Sequence, residues 1–216
     1  MFDTLLFDLD GTLTDPKEGI TKCVQYALAA CGITVDSLDE LECFIGPPLL
    51  DSFMEFYGLS KEKAEFALAK YRERFSDVGI FENRLFDGAS KLLSDLAKSG
   101  KTIALATSKP EVFAVRILEH FDIINYFDVV CGSELDGTRV KKAEVIKEAL
   151  LRLKNPNLDK TVMIGDRKHD IIGAKECGVR SIGLKLGYAQ QNELEDAGAD
   201  FIANDFTQLK AIVCKA

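Results

Sequence analysis

Two carboxylates one residue apart, Asp8 and Asp10, close a short apolar run, Thr4-Leu5-Leu6-Phe7, at the point where the chain reaches Gly11 and Thr12. A buried strand that ends in two acids and a turn residue can aim both carboxylates at one site. Further along, the apolar run Thr102 to Ala106 gives way to Thr107 and Ser108, whose hydroxyls can donate to phosphate oxygens. A loop leads to the basic pair Lys141-Lys142, and the run Thr161 to Ile164 passes into Gly165-Asp166, with Asp170 four residues later. Residues four apart share a helix face, so Asp166 and Asp170 can approach one cation.

Gathered without a cation, Asp8, Asp10, Asp166 and Asp170 would raise one another's pKa at considerable cost. A divalent cation reverses that argument. The ion expected is a hard one held by oxygen, Mg2+ above all, because carboxylates are abundant and histidines are two. A metal and a lysine together can neutralise a phosphoryl group enough for a carboxylate to attack it. The set as a whole carries this reading. A lone Asp-x-Asp is commonly a turn, Thr107 alone is a candidate helix cap, and two lysines alone are a solvated helix start. Two lysines at the positive end of a helix do, however, suggest a nearby anion.

The elements that must position these groups follow an alternating pattern. Apolar strands are expected at Thr102–Ala106, Phe127–Cys131, Thr161–Ile164, Arg180–Leu184 and near Phe201-Ile202. Helices are expected between and after them, at Ala89–Ser99, from Pro110, and at Lys142–Leu153, Asp170–Cys177 and Phe206–Val213. Strand–helix alternation implies an α/β fold with a Rossmann-like parallel sheet covered on both faces, and ligands bind beyond the carboxyl ends of such strands. Residues 15–83 read differently. Lys17–Cys31 carries a helical apolar stripe, Gly46-Pro47-Pro48 interrupts shorter helices, and Ser60 stands as an N-cap before Lys61–Phe75. No strand is expected there. The division is therefore a core domain of residues 1–14 and 84–216 with an inserted all-helical domain of residues 15–83, hinged near Thr14-Asp15 and Asn83-Arg84.

The Asp8-Leu9-Asp10-Gly11-Thr12-Leu13 stretch, Thr107, the lysine, and Gly165-Asp166 with Asp170 resemble the four ordered motifs of the haloacid dehalogenase superfamily. The resemblance covers essentially the whole chain, since the helical insertion falls where that superfamily places its cap domain. Thr107-Ser108-Lys109-Pro110-Glu111-Val112-Phe113 and Phe44-Ile45-Gly46-Pro47-Pro48-Leu49 look like the phosphoglycolate-phosphatase group. The resemblance implies Mg2+-dependent hydrolysis of small phosphate monoesters, phosphoglycolate or 5'-nucleotides among them. It makes Asp8 the nucleophile, Asp10 the proton donor and acceptor, Thr107 and Ser108 phosphate ligands, and Lys142 the stabiliser of Asp8 and the phosphoryl group. The metal ligands would be Asp8, Asp10 (through its carbonyl, with that of Leu9 as the other candidate), Asp166 and Asp170.

Departures leave alternatives open. Many relatives have Lys-Pro at the third motif, whereas this chain has Lys141-Lys142-Ala143; spacing to Val145-Ile146 favours Lys142, and Lys141 is the other candidate. Arg167 either reaches a phosphate or lies on the surface, His169 reads as a surface residue, and Gly187-Tyr188 as a turn with a packed aromatic. Asp10 argues against a dehalogenase or a phosphonate hydrolase. A phosphosugar mutase would keep both acids, and a non-catalytic phosphate-binding module should have lost Asp8 or Asp166.

Bulk properties set the boundaries. A net charge of −8 disfavours nucleic-acid polymers and anionic membranes as partners, so phosphate must be bound by a local site. Six cysteines without a C-x-x-C pair read as buried thiols. The N-terminus lacks a signal-peptide pattern, which makes the cytoplasm the expected location, and the expected oligomeric state is a monomer or homodimer.

Overall fold

The computed structural model describes residues 1–215, and the chain forms two compact units, Met1–Thr14 with Leu85–Ala216, and Asp15–Arg84. In the first unit, β1 (Thr4–Phe7) is buried along its whole length, which accounts for its unbroken apolar sequence. The chain then forms the two-residue strand β2 (Thr14–Asp15) and enters the second unit.

That unit is built from α1 (Lys17–Ala30), a 3-10 helix (Leu38–Phe44), α2 (Leu49–Tyr57), α3 (Lys61–Arg74) and a π-helical turn (Phe75–Gly79). Ile20, Val24, Ala27 and Leu28 are the buried stripe of α1, and the Ser60 side chain accepts the Lys63 amide at the start of α3. Gly46 to Pro48 separate the 3-10 helix from α2. The expected absence of strands needs one correction. Asp15 belongs to β2 and Arg84 to β3 (Arg84–Leu85), and these strands pair as a two-stranded sheet. Two-residue strands carry no periodicity from which a sequence reading could find them.

The chain continues through α4 (Ala89–Lys98), β4 (Thr102–Pro110), α5 (Glu111–His120), β5 (Val129–Ser133), α6 (Lys142–Arg152), β6 (Thr161–Gly165), α7 (Lys168–Glu176), β7 (Arg180–Leu184), α8 (Glu193–Asp196), β8 (Phe201–Ala203) and α9 (Phe206–Lys215). The sheet is parallel, in the order β5-β4-β1-β6-β7-β8. This is the Rossmann-like α/β architecture expected from the alternation. After β1 the chain builds outward through β4 and β5, then returns to place β6 on the other side of β1. That reversal beside β1 is where ligands bind in such sheets.

Register makes the reversal useful. Phe7 is level with Leu105 of β4 and with Ile164 of β6, so Asp8, Thr107 and Asp166 emerge at one edge. Beneath them, Leu6, Ala104, Cys131 and Met163 from the strands pack with Val145, Ile146, Ala149 and Leu150 of α6 and Ala174 of α7. Burial pushes the Cys131 thiol up to about 11, as expected of an inert core cysteine. Of the six cysteines, Cys23 and Cys131 are fully buried; the others are half-buried at element ends, a correction to the expectation of core thiols throughout.

Candidate active site

The β1 strand delivers Asp8 into the space between β4 and β6, where its amide donates to the Ile164 carbonyl at 2.9 Å. The following turn is closed by the Leu9 carbonyl, which accepts the amides of Thr12, Leu13 and Thr14. That carbonyl is thereby committed to the turn, which favours Asp10 over Leu9 as the backbone ligand of a metal. Gly11 sits at φ 78°, and a Cβ there would stand 2.2 Å from Asp166 Oδ2. A glycine is required on both counts.

Asp8, Asp166 and Asp170 each offer an oxygen within 4.8 Å of the others, and all three are buried. Asp166 is fixed by neutral donors: Thr12 Oγ1 to its Oδ1 at 3.1 Å and the Tyr188 amide to its Oδ2 at 2.8 Å. Asp170 turns its Oδ2 back to the Arg167 amide at 3.1 Å. The two acids therefore do not share a helix face as their spacing suggested. Asp166 precedes α7 altogether, and they converge because one ends a strand while the other caps the following helix.

Lys142, the first residue of α6, is buried among them. Its Nζ lies 2.8 Å from Asp8 Oδ1 and 2.8 Å from Asp170 Oδ1, and donates to the Ala106 carbonyl at 3.1 Å. Lys141 is exposed and its backbone amide meets Glu144, so the two lysines lie in different environments. Asp8 Oδ1 and Asp170 Oδ1 share the single Lys142 ammonium, and the remaining lone pairs of these buried carboxylates suit a cation.

The electrostatics agree with the geometry. Burial, then the charges of Asp170 and Asp8, raise Asp166 well above the usual carboxylate range. Burial pushes Asp170 up to about 6 against the pull of Lys142. Burial alone would drive Lys142 toward the neutral amine, but Asp170 and Asp8 outweigh it and hold the ammonium pKa above its ordinary value. One lysine cannot compensate three clustered carboxylates, so the group either retains protons or takes a divalent cation. This donor set of hard oxygens fits Mg2+.

Asp10 stands outside the triplet. Its Oδ2 pairs with Lys109 Nζ at 2.7 Å, while its buried Oδ1 has no partner. Burial raises its pKa, with Lys109 opposing. Thr107 is buried within β4, so it caps no helix, and its Oγ1 accepts the Lys109 amide at 3.3 Å. Ser108 is half-buried, and its carbonyl accepts from the Ser133 hydroxyl.

Four groups escaped the sequence reading of the site. Lys109 was visible only as part of a familiar-looking stretch, although a lysine directly after two strand-end hydroxyls is itself a signal. Thr12 holds Asp166 from within the first motif. Gly187 and Tyr188 press their backbone against Asp166, and a Cβ on Gly187 would lie 2.2 Å from its Oδ2. Arg167 is not a surface group. It is buried and donates through Nε to Glu193. His169 is half-buried, with burial lowering its pKa.

A sheet reversal that gathers three buried carboxylates beside a buried lysine is suited to phosphoryl chemistry on an α/β scaffold. The model of the haloacid dehalogenase-like hydrolase family matches residues 5–184, and the chain belongs to that family. Among curated proteins, a 5'-nucleotidase of Pseudomonas aeruginosa is 46% identical over 98% of this chain and 96% of its own. The tyrosine-protein kinase PtkA of Mycobacterium tuberculosis is 38% identical over 94% of this chain and 69% of its own. A phosphoglycolate phosphatase of Vibrio parahaemolyticus is 29% identical over 97% and 95%. The crystal structure of a predicted phosphatase from Clostridium acetobutylicum superposes with a TM-score of 0.97 at 45% identity over the full length of both chains. The chain is a phosphatase of this family. Among the described residues no helix is long and apolar enough to cross a membrane.

Proposed function

We propose that the chain hydrolyses small phosphate monoesters in a Mg2+-dependent reaction through an aspartyl-phosphate on Asp8. The observation that carries this reading is the buried Lys142 ammonium set 2.8 Å from both Asp8 and Asp170. A nucleophilic carboxylate is repelled by a phosphate dianion unless positive charge is already in place.

In this reading an Asp8 oxygen attacks phosphorus while the ester oxygen departs and takes a proton from Asp10. Water then attacks the phosphorus of the aspartyl-phosphate, giving its proton to the Asp10 carboxylate and releasing phosphate and free Asp8. The raised pKa of Asp10 suits the first step, and its unpartnered Oδ1 is the oxygen left to hold the proton. Thr107, with Ser108 beside it, would hold phosphate oxygens, and Lys142 would balance the charge passing from substrate to Asp8. Mg2+, held by Asp8, the Asp10 carbonyl, Asp166 and Asp170, would supply the remaining neutralisation of the phosphoryl oxygens.

The likeness to a 5'-nucleotidase supports 5'-nucleotides as the first candidate substrates, with phosphoglycolate the second. The helical unit Asp15–Arg84 would act as the cap that selects between them. Retention of Asp8, Asp166 and Lys142 in one cluster weighs against a non-catalytic binding module. The test is a panel of monoesters assayed with Mg2+ and with chelator, alongside Asp8→Asn. Turnover confined to the Mg2+-loaded unsubstituted protein is expected, and turnover that survives chelator and substitution overturns the mechanism.

A further inference from the structure

Glu193, at the start of the short helix α8, lies far in sequence from every motif, yet its side chain is only 8% exposed. Its Oε1 accepts Arg167 Nε at 2.9 Å and the Lys168 amide at 2.8 Å. Its Oε2 accepts the Gln190 amide at 3.0 Å. Lys168 is the first residue of α7 and Arg167 its cap, so one carboxylate ties the N-terminus of α7 to the segment before α8.

Both ends of that tie reach a ligand of the cluster. α7 carries Asp170, whose carboxylate accepts the Arg167 amide in the same first turn whose Lys168 amide Glu193 accepts. The segment before Gln190 carries Tyr188, whose amide holds Asp166 Oδ2, and Gly187, which leaves that oxygen no room to move toward it. A carboxylate buried in this way would be unfavourable by itself. Arg167, buried with it, supplies the compensating charge.

We propose that Glu193 is a positioning residue for the metal-binding acids, fixing Asp170 through the start of α7 and Asp166 through the Gly187-Tyr188 turn. The inference rests on the Mg2+ reading above. A partner behind metal ligands typically changes metal affinity about 10–100-fold when removed, because the ligands lose their preset orientation. Gln retains one carbonyl acceptor and should therefore lose less than Ala.

The test is calorimetric titration of Mg2+ alone into the intact protein and into Glu193→Gln, Glu193→Ala and Asp200→Asn. Asp200 bonds the Ser181 amide and hydroxyl between β7 and β8, apart from the acid cluster, and controls for simple loss of stability. Glu193→Ala should weaken Mg2+ binding about tenfold or more, Glu193→Gln less, and Asp200→Asn by under twofold. Mg2+ affinity in both Glu193 variants within twofold of the unsubstituted protein, with only the melting temperature lowered, overturns the positioning role. If Glu193→Ala does not fold, the Glu193→Gln titration decides alone. No Mg2+ binding by the unsubstituted protein itself would instead overturn the metal reading, and the positioning role with it.

Discussion

Lys142 Nζ and Asp8 Oδ1 stand 2.8 Å apart in the interior, with both side chains under a tenth exposed. A pair so placed is desolvated, and removing one member leaves an uncompensated charge. Breaking such a pair costs about 3–5 kcal/mol. Lys142→Met is therefore expected to lose roughly that much stability in denaturant titrations without metal, and to regain part of it with Mg2+. Its turnover should fall at least about 10²-fold, the usual consequence of losing one charge-stabilising donor. Lys141→Met, on the exposed neighbour, should leave both quantities close to the unsubstituted values.

The three clustered carboxylates make metal binding a function of pH. Asp170 is pushed up to about 6 and Asp166 well above its ordinary value. An acid whose folded pKa exceeds its unfolded value holds its proton more firmly when folded. That contribution is complete below the unfolded value, near 4, and is lost as pH rises through the folded one. The metal-free protein should thus lose stability between about pH 4 and 7 from Asp170, and Mg2+ must displace the same protons to bind. The rise in melting temperature on adding Mg2+ should be small at pH 5 and larger at pH 8. An equal rise at both would mean the carboxylates are ionised before the metal arrives.

Much of this arrangement was legible in the chain. The strand ends announced themselves because a parallel sheet buries its strands on both faces and leaves polar groups only where each strand stops. Lys142 was separable from Lys141 by its spacing to Val145 and Ile146, which fixes the inner face of α6. What stayed hidden was held by backbone. The Tyr188 amide on Asp166, the Leu9 carbonyl committed to its turn, and the pairing of β2 with β3 depend on main-chain groups that every residue possesses. The convergence of Asp166 and Asp170 was expected, but for the wrong reason. Their four-residue spacing suggests a helix face, while the structure uses a strand end and a helix cap.

Lys109 offers the sharpest separation of roles. Its ammonium pairs with Asp10 Oδ2 at 2.7 Å, and both side chains are nearly buried. Burial raises the Asp10 pKa, and Lys109 is the largest influence holding it down. Lys109→Met keeps the length of the side chain and removes that charge, so Asp10 should hold its proton to higher pH. In a profile of turnover against pH, the limb that reports Asp10 should then move upward. A profile that keeps its position while turnover falls uniformly would assign Lys109 to substrate binding instead. The distinction follows from the chemistry: a charge acting through Asp10 changes when the proton moves, whereas a charge acting on the substrate changes how much of it binds.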